Sequence, residues 1–237
     1  MNMNSILEKT LATIVAENHQ TAAIFEKYSL DFCCKGKRIL KEACMEKNID
    51  AISLAEELEA LSAKPLSHTP FADMTADELI GYILIHHHFY VKQSMPTIML
   101  HLEKVAMKHG PNFPYMIEVY QLFAEIEKDM SSHMQKEENI LFPRIKQVVA
   151  ASSDNQALPD VNFIKDPISV MEHEHDSAGD IMSKIRVLTN NYTAPEDACT
   201  TFRVVIAELQ AFEEDLHKHV HLENHILFPK AENIFLN

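Results

Sequence analysis

The chain has 237 residues, 46% of them apolar and 24% charged, which excludes a disordered chain and a membrane-embedded one. Its formal charge of −14, from 21 basic and 35 acidic side chains, argues against binding nucleic acid through phosphates and is compatible with holding cations. With only four glycines the chain is expected to be helical, because open β-architectures and phosphate-cradling loops consume glycine. No apolar run nears the roughly 20 residues needed to cross a bilayer, and the N-terminal stretch lacks the basic start and cleavage site of a signal peptide. A cytoplasmic protein with no membrane partner is expected, and a homodimer stays open. Four cysteines do not suggest a disulfide framework, since Cys33 and Cys34 are adjacent.

In chain order, apolar spacing of three and four predicts short helices over 5–18, 20–28, 38–47 and 53–61. Together they form a small helical domain, 1–62, with the Cys33–Cys34 turn between its second and third helices. Residues 63–74, with Pro65 and Pro70 and no periodicity, read as a linker. The rest, 75–237, reads as four long helices. Thr75 caps the first, which stops at Gly110-Pro111. The second runs from near Pro114 to about Ala150, with Pro143 expected to kink or end it. The third starts about Pro167, taken as a first-turn residue, and reaches Asn191. The fourth runs from near Pro195 to Pro229. The expected architecture is all-α, an up-down four-helix bundle behind a small helical domain.

Fourteen histidines carry the functional information. Residues 133–143 (HMQKEENILFP) align without gaps to residues 219–229 (HVHLENHILFP), with six of eleven positions identical. Packing explains Ile-Leu-Phe-Pro but not a histidine and a glutamate recurring four apart, one helical turn along the same face. His219 and Glu223 fall on a stripe with Leu209, Phe212, Leu216 and Ile226. His133 and Glu137 fall on one with Leu122, Ile126, Met130 and Ile140. Both pairs therefore face the core, where an ionised carboxylate costs several kcal/mol or more unless it is paired or metal-bound. His217, His221 and Asn224 align with Gln210 and Glu214 and are expected on a solvated face.

On the third helix His175 shares its stripe with Ile168, Met171, Ala178, Met182 and Ile185, whereas His173 aligns with Asp176 and Asp180. On the first, His88 lies between Leu84 and Val91 on the longest apolar stripe, and His87 is the alternative. The candidate metal ligands are therefore His88, His133, Glu137, His175, His219 and Glu223. Imidazole with carboxylate suits iron, manganese or zinc, and six ligands are too many for one closed zinc site. His19, His68, His101, His217, His221 and His225 are expected to be surface or satisfied core residues, with His109 less clear-cut. Cys44 and Cys199 are expected to be buried spectators.

The motifs H-x3-E-E-x-I-L-F-P-R, S-V-M-E-x-E-H-D and H-x3-E-N-x-I-L-F-P resemble those of hemerythrin-like proteins. The N-terminal Y-x2-D-F-C-C-x-G, at 28–36, resembles the cysteine-bearing domain that precedes such a bundle in the iron-sulfur cluster repair di-iron proteins. The resemblance covers nearly the whole chain. It implies two non-haem iron ions, oxo- and carboxylate-bridged, on the same six residues. It also implies repair of iron-sulfur proteins damaged by oxidative or nitrosative stress, through iron supply or disposal of nitric oxide. Cys33 and Cys34 are either small residues in a packed turn or thiolates of lowered pKa, near Lys35, Lys37 and Arg38, that handle iron, a cluster or a redox equivalent. The alternative is a hemerythrin-like oxygen- or iron-binding sensor without turnover. A ferritin-like oxidase is disfavoured, because those sites use E-x2-H spacing.

Overall fold

A computed structural model describes residues 3–62 and 71–236, so most of the expected linker, and His68 with it, lies outside the described residues. The small N-terminal region contains α1 (Met3–Leu7), α2 (Leu11–Glu17), α3 (Thr21–Lys27), α4 (Leu40–Lys47) and α5 (Ala51–Ser62). The single helix expected over 5–18 is broken. Thr10 adopts an extended conformation and caps α2 by accepting from the Thr13 N–H. It also forms an isolated bridge with Ile39, flanked by Leu11 N–H donating to the Arg38 carbonyl and Leu40 N–H donating to the Lys9 carbonyl.

The first bundle helix is α6 (Ala76–Tyr82), a wide π turn at Ile83–His88, and α7 (Phe89–His109). Thr75 starts it with a reciprocal capping box, its hydroxyl accepting from Glu78 N–H while the Glu78 carboxylate accepts from Thr75 N–H. The second is α8 (Tyr115–Lys136), a π turn at Glu137–Leu141, and α9 (Phe142–Ser153). The third is α10 (Asn162–Leu188). The fourth is α11 (Thr200–Leu222), a π turn at Glu223–Leu227, and α12 (Phe228–Glu232). Helix one packs on two and four, two packs on three, and three on four, closing the bundle.

Prolines explain two departures from the expected boundaries. The helix does not end at Pro143 but continues to Ser153. The proline sits in the first turn of α9, behind a π turn in which Phe142 N–H donates to the Glu137 carbonyl, so the wider turn absorbs its missing N–H. Pro167 lies inside α10, not at its start. The Phe163 carbonyl that it leaves free accepts instead from Arg144 Nη1, at 2.9 Å.

The hydrophobic core is two clusters. One contains Val91, Met130, Ala178 and Leu216 together with the N-terminal core. The other contains Ile83, Leu141, Met171 and Leu227. The residues between them on all four helices are His88, His133, Glu137, His175, His219 and Glu223, a polar layer sealed on both sides.

Candidate metal centre

All six side chains converge in that layer, each at most 1% exposed. Their ligand atoms form two tetrads, His88/Glu137/His219/Glu223 and His133/Glu137/His175/Glu223, with every atom of a tetrad within 4.8 Å of the others. Both carboxylates belong to both tetrads. Glu137 Oε2 lies 3.3 Å from His88 Nε2 and 3.2 Å from His133 Nε2. Glu223 Oε1 lies 3.1 Å from His219 Nε2, and its Oε2 lies 3.2 Å from His175 Nε2.

The outer nitrogens settle which ring atom faces inward. His88 Nδ1 donates to Glu138 at 2.7 Å, His133 Nδ1 to Glu174 at 3.0 Å, and His175 Nδ1 to the Asn224 side-chain oxygen at 2.9 Å. Lys92 and Lys136 in turn hold Glu138 and Glu174. A proton on Nδ1 leaves Nε2 as the lone-pair nitrogen, the tautomer a metal requires. His133 Nε2 and His175 Nε2 then face each other at 3.0 Å, an arrangement that needs a proton or a cation between them. His88 Nε2, both Glu137 oxygens and Glu223 Oε2 are buried without a hydrogen-bond partner. Such convergent orphaned atoms fit a bound cation.

The electrostatics agree. Burial works against a charge on His133, yet Glu137, Glu223 and Glu174 outweigh it and raise its pKa to about 9. Burial likewise opposes charge on Glu223, but His219 and His175 hold its carboxyl well below the ordinary range. The layer therefore keeps two negative charges in an apolar core and calls for positive charge among them.

The π turns explain how the layer is built. Each begins or ends on a candidate ligand: His88, Glu137 or Glu223. The extra residue in the first turn buries both His87 and His88. His87 is not in the cluster; its Nδ1 pairs with Asp215 at 3.0 Å and its ring stacks on His219. In the second, the extra residue turns Ile140 outward, against the expected stripe, and sends Leu141 and Phe142 inward. His173 is exposed, as its stripe indicates.

His217, His221 and Asn224, expected on a solvated face, are all buried instead. Asn224 serves His175. His217 and His221 meet the N-terminal region, whose Phe32 ring lies edge-on between them at 5.9 and 5.7 Å. His217 pairs with Glu26, and His225 Nε2 donates to the Cys33 carbonyl at 2.6 Å. The covering chain lies nearly two hundred residues away in sequence, and the local pattern carries no signal for it.

That contact sets the cysteine turn against the bundle. Asp31 accepts from the Cys33 and Cys34 N–H groups and from the Cys33 thiol, and the two sulfurs are 3.8 Å apart. Cys34 Sγ lies 3.5 Å from the carbonyl of His175. The lowered thiol pKa expected at this turn does not hold for Cys33, which burial, Cys34 and Asp31 push up. Arg38 is committed to Glu46, and Lys37 lies 3.9 Å from Glu172. Cys34 is half-buried and borders a polar cavity of about 470 Å³. Cys44 is buried, whereas Cys199 is half-buried and pairs with His109 at 3.2 Å. Among the described residues, no helix is long and apolar enough to cross a membrane.

Residues 79–231 match the family described as the hemerythrin HHE cation binding domain, and residues 7–62 match ScdA_N, described as a domain of unknown function (DUF542). The chain is 36% identical over 224 residues to the iron-sulfur cluster repair protein YtfE of Musicola paradisiaca, covering 94% of this chain and 96% of that one. It is 34% identical over 229 residues to the protein of the same name from Citrobacter koseri, covering 96% and 98%. The Enterobacter sp. relative, again so named, is 33% identical over 224 residues, covering 94% and 96%. With one match spanning the whole polar layer and relatives aligned nearly end to end, the chain belongs to the hemerythrin HHE cation-binding family.

Proposed function

We propose that this chain is a di-iron protein that restores iron-sulfur clusters damaged by oxidative or nitrosative stress. His88 and His219 would hold one iron, His133 and His175 the other, and Glu137 and Glu223 would be shared by both. The observation that carries this reading is the double membership of both carboxylates, since a single ion would use one tetrad and leave two imidazoles idle. Bound there, iron supplies redox chemistry toward nitric oxide or oxygen and a store that can be given up to a damaged iron-sulfur protein. The chain's own residues do the rest. Glu138, Glu174 and Asn224 hold the Nδ1 protons, and the apolar clusters above and below exclude water.

Residues 1–62 act in this reading as a unit that brings Cys33 and Cys34 to the bundle formed by 75–237, with 63–74 as their connection. Cys34, one hydrogen bond from the backbone of ligand His175, is placed to take part in transfer, because thiolate is a soft and exchangeable ligand. The test is recovery of an iron-sulfur dehydratase inactivated by nitric oxide, with iron-loaded full-length protein added. Recovery is expected with the wild type. The Cys33→Ser, Cys34→Ser double variant should keep its iron and lose the recovery. No recovery from iron-loaded wild type would refute the function, and full recovery from the double variant would refute the role of the cysteines.

A further inference from the structure

The four ligand imidazoles are not equally supported. His88, His133 and His175 each give their Nδ1 proton to an acceptor on another bundle helix or its π turn. His219 Nδ1 is buried and has no hydrogen-bond partner. Its Nε2 lies 3.1 Å from Glu223 Oε1 and holds the ring's proton against that carboxylate. A neutral imidazole carries one ring proton. A metal on Nε2 needs that nitrogen bare. The ring must then carry its proton on Nδ1, where a buried donor without an acceptor costs about 1–3 kcal/mol.

An acceptor stands one turn away. Asp215 precedes His219 by four residues on α11, and helical side chains lean back over the turn N-terminal to them. Asp215 Oδ1 accepts from His87 Nδ1 at 3.0 Å. The His87 ring lies parallel to that of His219, 5.5 Å between centroids and 6° between planes, so the carboxylate and the ligand flank the same imidazole. Asp215 Oδ2 is buried and, like His219 Nδ1, unpartnered. An orphaned acceptor and an orphaned donor thus occupy adjacent turns of one helix face.

We propose that Asp215, held by His87, is the positioning residue of His219: its free Oδ2 accepts the Nδ1 proton, directly or through one water, whenever Nε2 binds metal. This rests on the reading of His219 as a ligand and completes for it the arrangement that Glu138, Glu174 and Asn224 provide for the other three. His87, which sequence alone leaves as a competing ligand, acquires a different task.

The test uses full-length protein loaded with zinc, which is diamagnetic and suits the same donors. Proton NMR of the wild type should show a slowly exchanging, downfield imidazole N–H for each ligand histidine, His219 included. Asp215→Asn turns a donor toward Nδ1 and should abolish the His219 signal alone. It should also weaken zinc and iron about 10- to 100-fold in competition with a chelator. Asp215→Glu should restore both. Glu208→Gln, which breaks the 2.7 Å pair with His101, should change neither. Absence of the His219 signal from zinc-loaded wild type overturns the proposal without any variant. So does an Asp215→Asn protein with the signal retained or with wild-type affinity. Should zinc fail to bind the wild type at all, the metal centre itself is refuted, a different outcome from loss of one N–H.

Discussion

Phe32→Ala separates the two faces of the fourth bundle helix. The Phe32 ring is fully buried, with ring centroids 6.1 Å from Phe25, 5.9 Å from His217 and 5.7 Å from His221. Truncating a phenylalanine in such a site removes its transfer free energy and leaves a cavity, a loss of about 3–5 kcal/mol. With a urea slope of about 2 kcal/mol/M, the unfolding midpoint should fall by about 1.5–2.5 M, a large share of a total near 5–15 kcal/mol. Its ring contacts are with Phe25, His217 and His221, not with the imidazoles of the candidate centre, so iron content should be unchanged. Cys34 should become more reactive toward iodoacetamide, because Phe32 anchors the turn that presses its sulfur onto α10. The assay is urea unfolding by circular dichroism, with iron analysis and timed alkylation of the same preparation. A midpoint shift below about 0.5 M, equivalent to about 1 kcal/mol, would refute the claim that the N-terminal region is seated by this ring.

Other consequences are as direct. His219→Ala and Glu223→Ala should each lose iron, while His217→Ala and His221→Ala should keep it and lose stability instead; equal iron loss from all four would mean that the faces are wrongly assigned. Asp31 is half-buried, which opposes its charge, but His217 and the N–H groups of the turn hold its pKa below the ordinary carboxylate range. A depressed folded pKa contributes stability fully present above the unfolded value, about 3.9, and lost as pH falls through the folded one. Asp31→Asn should therefore flatten the acid limb of the stability curve below about pH 4, and an unchanged limb would count against the pairing. Arg144→Met strips the partner from the Phe163 carbonyl ahead of Pro167 and should cost about 1–2 kcal/mol by thermal unfolding; no loss would mean that water serves the carbonyl equally well.

The inward stripes were legible because a 3.6-residue period repeats over many turns, and the duplicated H-x3-E marked where polar residues interrupt it. The break at Thr10 was not, since it depends on pairing with Ile39. The π turns were only half visible. Pro143 and Pro229 announce an irregularity at matching places, but the wide turn that absorbs it, and the rotation that exposes Ile140, follow from backbone hydrogen bonding. Glu138 and Glu174 adjoin expected ligands in sequence, yet each serves a histidine on a different helix, so their roles needed the fold. Likewise His217 and His221 look solvated until Phe32 covers them. The thiol expectation failed at Cys33 because Lys37 and Arg38 face Glu172 and Glu46, while Asp31 and burial act on the sulfur itself.

In the proposed centre two metal ions share two carboxylates. Iron-loaded full-length protein should hold about two irons per chain by elemental analysis, with a Mössbauer spectrum of a magnetically coupled pair. Glu137→Ala and Glu223→Ala should each deplete both irons together, because each carboxylate belongs to both tetrads. One metal per chain at saturation, or loss of a single iron from either variant with the other retained, would contradict a centre of two metals sharing both carboxylates.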